Sequence, residues 1–407
     1  MSGEYCFAHI AVGNGFEDPV WLAERTVLAW IVESNWKSVA LIGLAVLFQR
    51  CKADIFNVVN LEPLGLKRLV NMVVYNNPVV LQRADPWVLK VGDEYYFTGS
   101  DPEYNTIAIR HASSINELQA APETVVWRKH ESGPMSKYIW APELHRVNDA
   151  WYIYFAAAER EFEESGLPTH RMYVLENKDD DPTSDHWEEK GQIKTPIDSF
   201  SLDATTEVID GVQYLIWAQK DPAIAGNSNL YIAAMENPWT LAGDPVMLSK
   251  PEYDWECVDF LVNEGPAVLR HGEDIYIAYS ASGTGVPYAV GLLAAKHGSD
   301  LLDPKSWVKS PVPVFKTCEK NGQYGPGHNS FVKAEDGVTD LMIYHARNYT
   351  EIKGDPLFDP NRHARVGVVR WTEAGPDFGV PEPDVVWSPS TTEVLPADGG
   401  PQAGTKL

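Results

Sequence analysis

From Tyr75 onward the chain runs in short apolar and aromatic stretches broken by turn residues, the pattern of partly buried strands. Five segments share one grammar: a small or polar opening, an apolar stretch, a turn, then an aromatic strand. They span Ala84–Ser100, Ala141–Glu159, Leu202–Gln219, Glu264–Ser282 and His328–Arg347. Each carries a hairpin signal, at Gly92-Asp93, Asn148-Asp149, Asp210-Gly211, Gly272-Glu273 and Asp336-Gly337. Opening residues fall at Asp85, Glu143, Asp203, Glu264 and His328, in steps of 58, 60, 61 and 64 residues. Further strands follow in the units, at Thr106–Ile109, Met172–Leu175, Leu230–Ala233 and Val366–Val369. Trp127, Trp187, Trp239 and Trp307 close four of them. Four strands per unit of about 60 residues, five times over, predict an all-β, five-bladed propeller over residues 76–387. A β-sandwich fits less well, because its strands recur every 8–12 residues or so without the longer period.

Two stretches stand apart. Residues 1–75 hold seven acids and six bases, and we expect them to form an extension outside the propeller. Within them Val39–Phe48 is apolar, but ten residues fall short of the roughly 20 that a membrane helix needs. The run also begins too late for a secretion signal. It reads as a buried or interfacial helix, or as sequence ahead of a start nearer Met72. Residues 388–407 are rich in Gly, Pro and Thr, and we expect a loosely held tail.

The formal net charge is −24. A chain this acidic is repelled by phosphate backbones and anionic lipid, so nucleic acid and membrane surfaces are poor partners and a neutral substrate fits. Four cysteines without a CxxC pair exclude a disulfide scaffold or a thiolate zinc site; one Cys257–Cys318 bridge stays open. Aromatic residues make up 11%. Core packing accounts for most of them, including Trp87 and Phe97, although exposed rings also stack on the C–H faces of sugars. HExxH, GxSxG and phosphate-loop motifs are absent. Asn348-Tyr349-Thr350 is a glycosylation sequon, a weak pointer to secretion.

In a propeller the innermost strand of each blade lines the central channel, so the five opening residues converge at one mouth. Singly, each has a structural reading: Asp85 precedes Pro86, Glu143 follows Pro142, Glu264 precedes Gly265-Pro266. Together, four carboxylates and a histidine in one funnel raise each other's pKa, which is what a general acid needs near neutral pH.

The motifs ADPWV, WAPELH, SLDATTE, NEGP and GPGHNSF, each in its own blade and in this order, resemble glycoside hydrolase family 43. The resemblance runs from about Asn77 to about Gly379. RHARVGVVRW and the stretch around DFGVPEP resemble its α-L-arabinofuranosidase branch. The resemblance implies an inverting hydrolase with Asp85 as general base, Glu264 as general acid and Asp203 orienting the acid and holding its pKa up. It implies that Trp140 walls the sugar pocket, that Glu143 bonds the sugar or an axial ion, and that Arg347 meets sugar hydroxyls. It further implies a calcium or sodium ion on the axis, reached by His328 through water, and no organic cofactor. The expected activity is release of terminal α-L-arabinofuranosyl residues from arabinose- or xylose-containing polysaccharide, by a secreted monomer. A β-xylosidase, an endo-arabinanase and a non-catalytic sugar-binding propeller are the alternatives.

Overall fold

The chain divides into Met1–Met72 and Val73–Leu407. The computed structural model describes residues 75–160 and 167–387, all in the second unit. The expectations for residues 1–74 and 388–407 lie outside the described residues. Tyr75, assigned above to the extension, belongs instead to the fold: it is buried and pairs with Trp387.

Strand β1 (Tyr75–Asn76) leads into five consecutive antiparallel sheets. Blade 1 comprises β2 (Ala84–Val91), β3 (Glu94–Ser100), β4 (Thr106–Ala112) and β5 (Glu123–Arg128). Blade 2 comprises β6 (Lys137–Val147), β7 (Ala150–Ala158), β8 (Arg171–Asn177) and β9 (Glu188–Gln192). Blade 3 has β10 (Ser201–Ile209), β11 (Val212–Gln219), β12 (Asn229–Asn237) and β13 (Thr240–Leu241), with β14 (Val246–Ser249) also paired to β12. Blade 4 has β15 (Asn263–His271), β16 (Asp274–Ala281), β17 (Ala289–Lys296) and β18 (Val308–Lys309). Blade 5 has β19 (Tyr324–Lys333), β20 (Asp340–Arg347), β21 (His363–Thr372) and β22 (Gly375–Asp377), and β23 (Val386–Trp387) returns to β1. Helical structure among the described residues is limited to single 3-10 turns such as Pro304–Ser306. The predicted five-bladed propeller is the observed fold.

No blade mixes strands from the two ends of the chain, so the ring closes through other contacts. Asn77 clamps Val366 from both sides, donating Nδ2 to its carbonyl at 2.9 Å and accepting its N–H at 2.8 Å. The apolar core is correspondingly divided into five clusters, one per seam between neighbouring blades. Strand β7, AWYIYFAAA, is buried along its whole length because both faces meet a neighbouring blade. Each Ile, Leu or Phe enclosed there contributes roughly 1.5–3 kcal/mol. The four tryptophans lie in or just before the fourth strand of blades 1 to 4, where Trp307 is buried against the seam. Phe97 is core, and Trp87 is half-buried with its indole N–H on the Leu144 carbonyl.

The innermost strands share one irregularity. Each shifts register near its start: between Ala84 and Trp87, Trp140 and Glu143, Leu202 and Thr205, Glu264 and Ala267, and Gly327 and Ser330. Within each shift one residue is left-handed: Asp85 (φ 54°), Ala141 (44°), Asp203 (54°), Gly265 (54°) and His328 (42°). Such bulges re-aim side chains and cluster at functional sites. A bulge also frees an N–H from the ladder. At four seams a side chain of the preceding blade takes it: Ser100 accepts from Ala141, Asp203 from Gly265, Ser280 from His328, and His345 from Asp85.

Candidate active site

This geometry corrects the equivalence of the five opening residues. Asp85, Asp203 and His328 occupy the left-handed position, whereas Glu264 sits one residue before it and Glu143 two after. In blade 2 the left-handed residue is Ala141. The bulge still brings Asp85, Asp203, Glu264 and His328 together at the channel mouth. Glu143 lies deeper.

Asp85 is buried and fully engaged. Its Oδ2 accepts from Ser100 Oγ at 2.6 Å, and its Oδ1 accepts from Arg362 Nη2 at 2.7 Å. His328 Nδ1 and His345 Nδ1 lie 3.3 and 3.4 Å from that same oxygen. Burial opposes ionisation, but the charge of Arg362, followed by His328 and the Ser100 hydroxyl, outweighs it and holds the carboxyl below its ordinary range. His345 Nδ1 accepts the Asp85 N–H at 3.1 Å, so its proton is on Nε2, and burial keeps the ring neutral.

The other two carboxyls are pushed the opposite way. Glu264 is partly accessible from the pocket, and its Oε1 accepts from Tyr288 OH at 2.9 Å. Desolvation raises it to about 7; the charge of Asp85 adds to this and the Tyr288 bond opposes it. Asp203 is held well above the ordinary range by burial, then by the charges of Glu264 and Asp85. The Gly265 N–H, at 3.0 Å from Asp203 Oδ2, is its main compensation. Asp203 and Glu264 therefore titrate as a pair that keeps a proton where ordinary carboxyls have lost theirs.

Glu143 is buried against His145, with 2.8 Å between Oε2 and Nε2. Burial raises the acid and lowers His145 to about 3, so this is a neutral hydrogen-bonded pair beneath the mouth. Trp140 stacks on His170 at 3.8 Å, and its buried Nε1 has no protein partner. Arg347 is buried, donating to the Thr284 carbonyl, 3.3 Å from Asp359 through Nε, and with Nη2 unpartnered. Cys257 and Cys318 are both free, so no bridge joins them.

Sequence reading missed Arg362 and Tyr288. Arg362 opens RHARVGVVRW, a stretch that carries the branch resemblance without marking a site residue, and Tyr288 lies in the loop between β16 and β17. A site that needs one carboxyl ionised implies a buried cation, but no spacing singles out Arg362, which immediately precedes β21, the third strand of blade 5. The shape of the molecule alone points elsewhere: a groove of about 590 Å³ lies at the far end of the blades, lined by Lys90, Phe331, Glu335 and Asp336 among others. A cavity of about 60 Å³ borders Tyr104, Asp359 and Arg362. Ser100 and Arg362, which bind Asp85, line the small cavity.

Among the described residues no cluster of three or more His, Cys, Asp or Glu is arranged to hold a metal ion. His328 Nδ1 already faces Asp85 and, at 3.9 Å, Asp203. The next residue, Asn329, is buried with both side-chain polar atoms lacking a protein partner. These groups suit water, or an ion carried within its water shell, rather than direct coordination by roughly six to eight oxygens.

The sequence model of glycosyl hydrolases family 43 matches residues 75–376, the described propeller almost in full. The chain belongs to glycosyl hydrolases family 43. It is 51% identical over 316 residues to an extracellular exo-α-(1→5)-L-arabinofuranosidase of Streptomyces avermitilis, covering 77% of this chain and 65% of that one. It is 48% identical to α-L-arabinofuranosidase 43 of Humicola insolens, covering 77% and 64%. The chain thus spans just under two thirds of the length of these two curated relatives. The crystal structure of an α-L-arabinofuranosidase from Lactobacillus brevis superposes with a TM-score of 0.75 at 54% identity, over 76% of this chain and 97% of that one. A thermostable family-43 glycoside hydrolase shares the fold at 22% identity and a TM-score of 0.60, covering 82% of this chain and 99% of its own.

Proposed function

We propose that this family-43 chain is an inverting, exo-acting α-L-arabinofuranosidase that removes terminal arabinofuranosyl residues from arabinan- or arabinoxylan-type polysaccharide. One observation carries the reading: two carboxyls of one pocket, on the non-adjacent blades 1 and 4, sit in opposed environments. Asp85 is bound by Arg362 and Ser100 and is ionised. Glu264, half-buried and bonded only to a neutral hydroxyl, keeps its proton near neutral pH. Such a split assigns base and acid. Asp85 takes a proton from water as the water attacks the anomeric carbon. Glu264 gives its proton to the glycosidic oxygen as the bond to the leaving sugar breaks. Asp203 orients the acid by accepting the N–H of Gly265, the residue next to Glu264. The leaving sugar departs protonated, and exchange with solvent resets both groups.

The unpartnered N–H groups of Trp140 and Arg347 support a polyol ligand. A buried donor without a partner costs about 1–3 kcal/mol, which a sugar hydroxyl recovers on binding. Arabinofuranose is favoured over xylose by the relatives' names at about half identity, and action outside the cell by one relative's description as extracellular. We expect a monomer, because all five seams close within one chain. An axial calcium or sodium ion would be held near His328 through water and has no part in the proton transfers.

The test compares release of 4-nitrophenol from the α-L-arabinofuranoside and the β-D-xylopyranoside, with Glu264→Gln as control. Arabinofuranoside turnover that Glu264→Gln abolishes is the expected result. A preference for the xyloside overturns the substrate, and full activity in the variant overturns the acid.

A further inference from the structure

Four residues before Glu264, the loop leading into β15 exposes three apolar side chains: Val258, Phe260 and Leu261. Phe260 is 56% exposed, a large cost for an aromatic ring unless it is used. The exposure is imposed by a tied backbone. Val258 donates to Ser282 Oγ at 3.0 Å, Gly283 donates to the Val258 carbonyl at 2.9 Å, and Asn227 donates to the Leu261 carbonyl at 2.8 Å. Both flanks are close-packed: a methyl group on Gly283 would lie 2.8 Å from Asp259 Cβ and 3.3 Å from Phe260 Cδ2, and one on Gly226 would lie 2.8 Å from the Leu261 carbonyl oxygen. Asp259 is left-handed at φ 65°, which turns the following ring outward. The loop after β16, to which this one is tied through Gly283, reaches the site, since Thr284 accepts from Arg347 through its carbonyl.

The chemistry of the reaction fixes what lies on this side. A general acid must touch the oxygen that leaves with the departing sugar, so that sugar lies on the Glu264 side of the pocket. The attacking water and Asp85 occupy the other side, where the second exposed ring, Phe358, packs edge-on to Tyr104. We propose that Phe260, held by its tied loop, is the platform on which the leaving sugar of the substrate chain stacks. A neutral sugar with C–H groups on one face suits an apolar ring on a protein of net charge −24. This rests on the catalytic reading above and adds a determinant of chain recognition to it.

The test measures kcat and KM of the full chain, Phe260→Ala and Phe260→Tyr on two substrates. One is α-(1→5)-linked arabinotriose, whose leaving group is a sugar. The other is methyl α-L-arabinofuranoside, whose leaving group has no ring. Phe260→Ala should lower kcat/KM on the triose about tenfold, chiefly through KM, and on the methyl glycoside less than about twofold, with Phe260→Tyr restoring most of the loss. Equal losses on both substrates, or no loss on the triose, overturn the platform while leaving the catalytic reading intact. A native chain that cleaves neither substrate overturns both.

Discussion

Arg362 Nη2 donates to Asp85 Oδ1 across 2.7 Å, joining the last blade of the propeller to the first at the channel mouth. Both residues are buried, and the Arg362 Nε has no protein partner, so Asp85 is the anchor of this guanidinium. A charge-assisted bond of this kind keeps a carboxylate ionised where burial would protonate it. Replacing Arg362 with Met should raise the Asp85 pKa and move the acid limb of the kcat/KM profile to higher pH. The loss at neutral pH should be roughly 10- to 100-fold. An unmoved acid limb would show that Arg362 serves only to hold the blades together.

Tyr288 acts on the other limb. Its hydroxyl stabilises the charged form of Glu264, and its ring stacks on His345 at 5.8 Å. Tyr288→Phe keeps the ring and deletes the donor, so the Glu264 pKa should rise further and the basic limb should shift upward. A downward shift contradicts the assigned direction of that bond. The ring itself is tightly seated: a methyl group on Gly327 would come within 2.3 Å of Tyr288 Cε1.

Glu264 should also leave a mark on stability. Its folded pKa of about 7 lies above the ordinary 4.5, so between those values the native state binds more protons than the unfolded one. This contribution is complete below about 4.5 and is lost as pH rises through about 7. Glu264→Gln does not titrate and should gain stability relative to the native chain across that window, on the order of 3 kcal/mol at most. Denaturant melts at several pH values read this directly. Parallel curves for the two proteins would show that Glu264 has an ordinary pKa.

The blades are readable in the sequence because their hairpin turns demand left-handed residues, and Gly92, Asn148, Asp149, Asp210, Gly211, Gly272 and Gly337 all adopt positive φ. The mouth positions are left-handed as well, but Asp, Ala, Asp, Gly and His fill them, so no common residue type marks the register. Counting from acidic residues alone therefore misplaced Glu143 and Glu264 by one or two positions, and the bulge hid the error by drawing Glu264 into the same pocket. Arg362 was not legible because its partner lies 277 residues away, and no spacing rule reaches that far. Tyr288 and Phe260 come from loops whose course is set by contacts with Gly327 and Gly283, visible only once the blades are assembled.

The central claim is a single displacement with Asp85 and Glu264 as base and acid. The most direct test follows hydrolysis of an α-L-arabinofuranoside by proton NMR and identifies the anomer of the first-formed arabinose, with Asp85→Asn and Glu264→Gln as controls. The account predicts the β-anomer, followed by slow mutarotation, and no product above background from either variant. The α-anomer appearing first, or turnover surviving in Asp85→Asn, would contradict it.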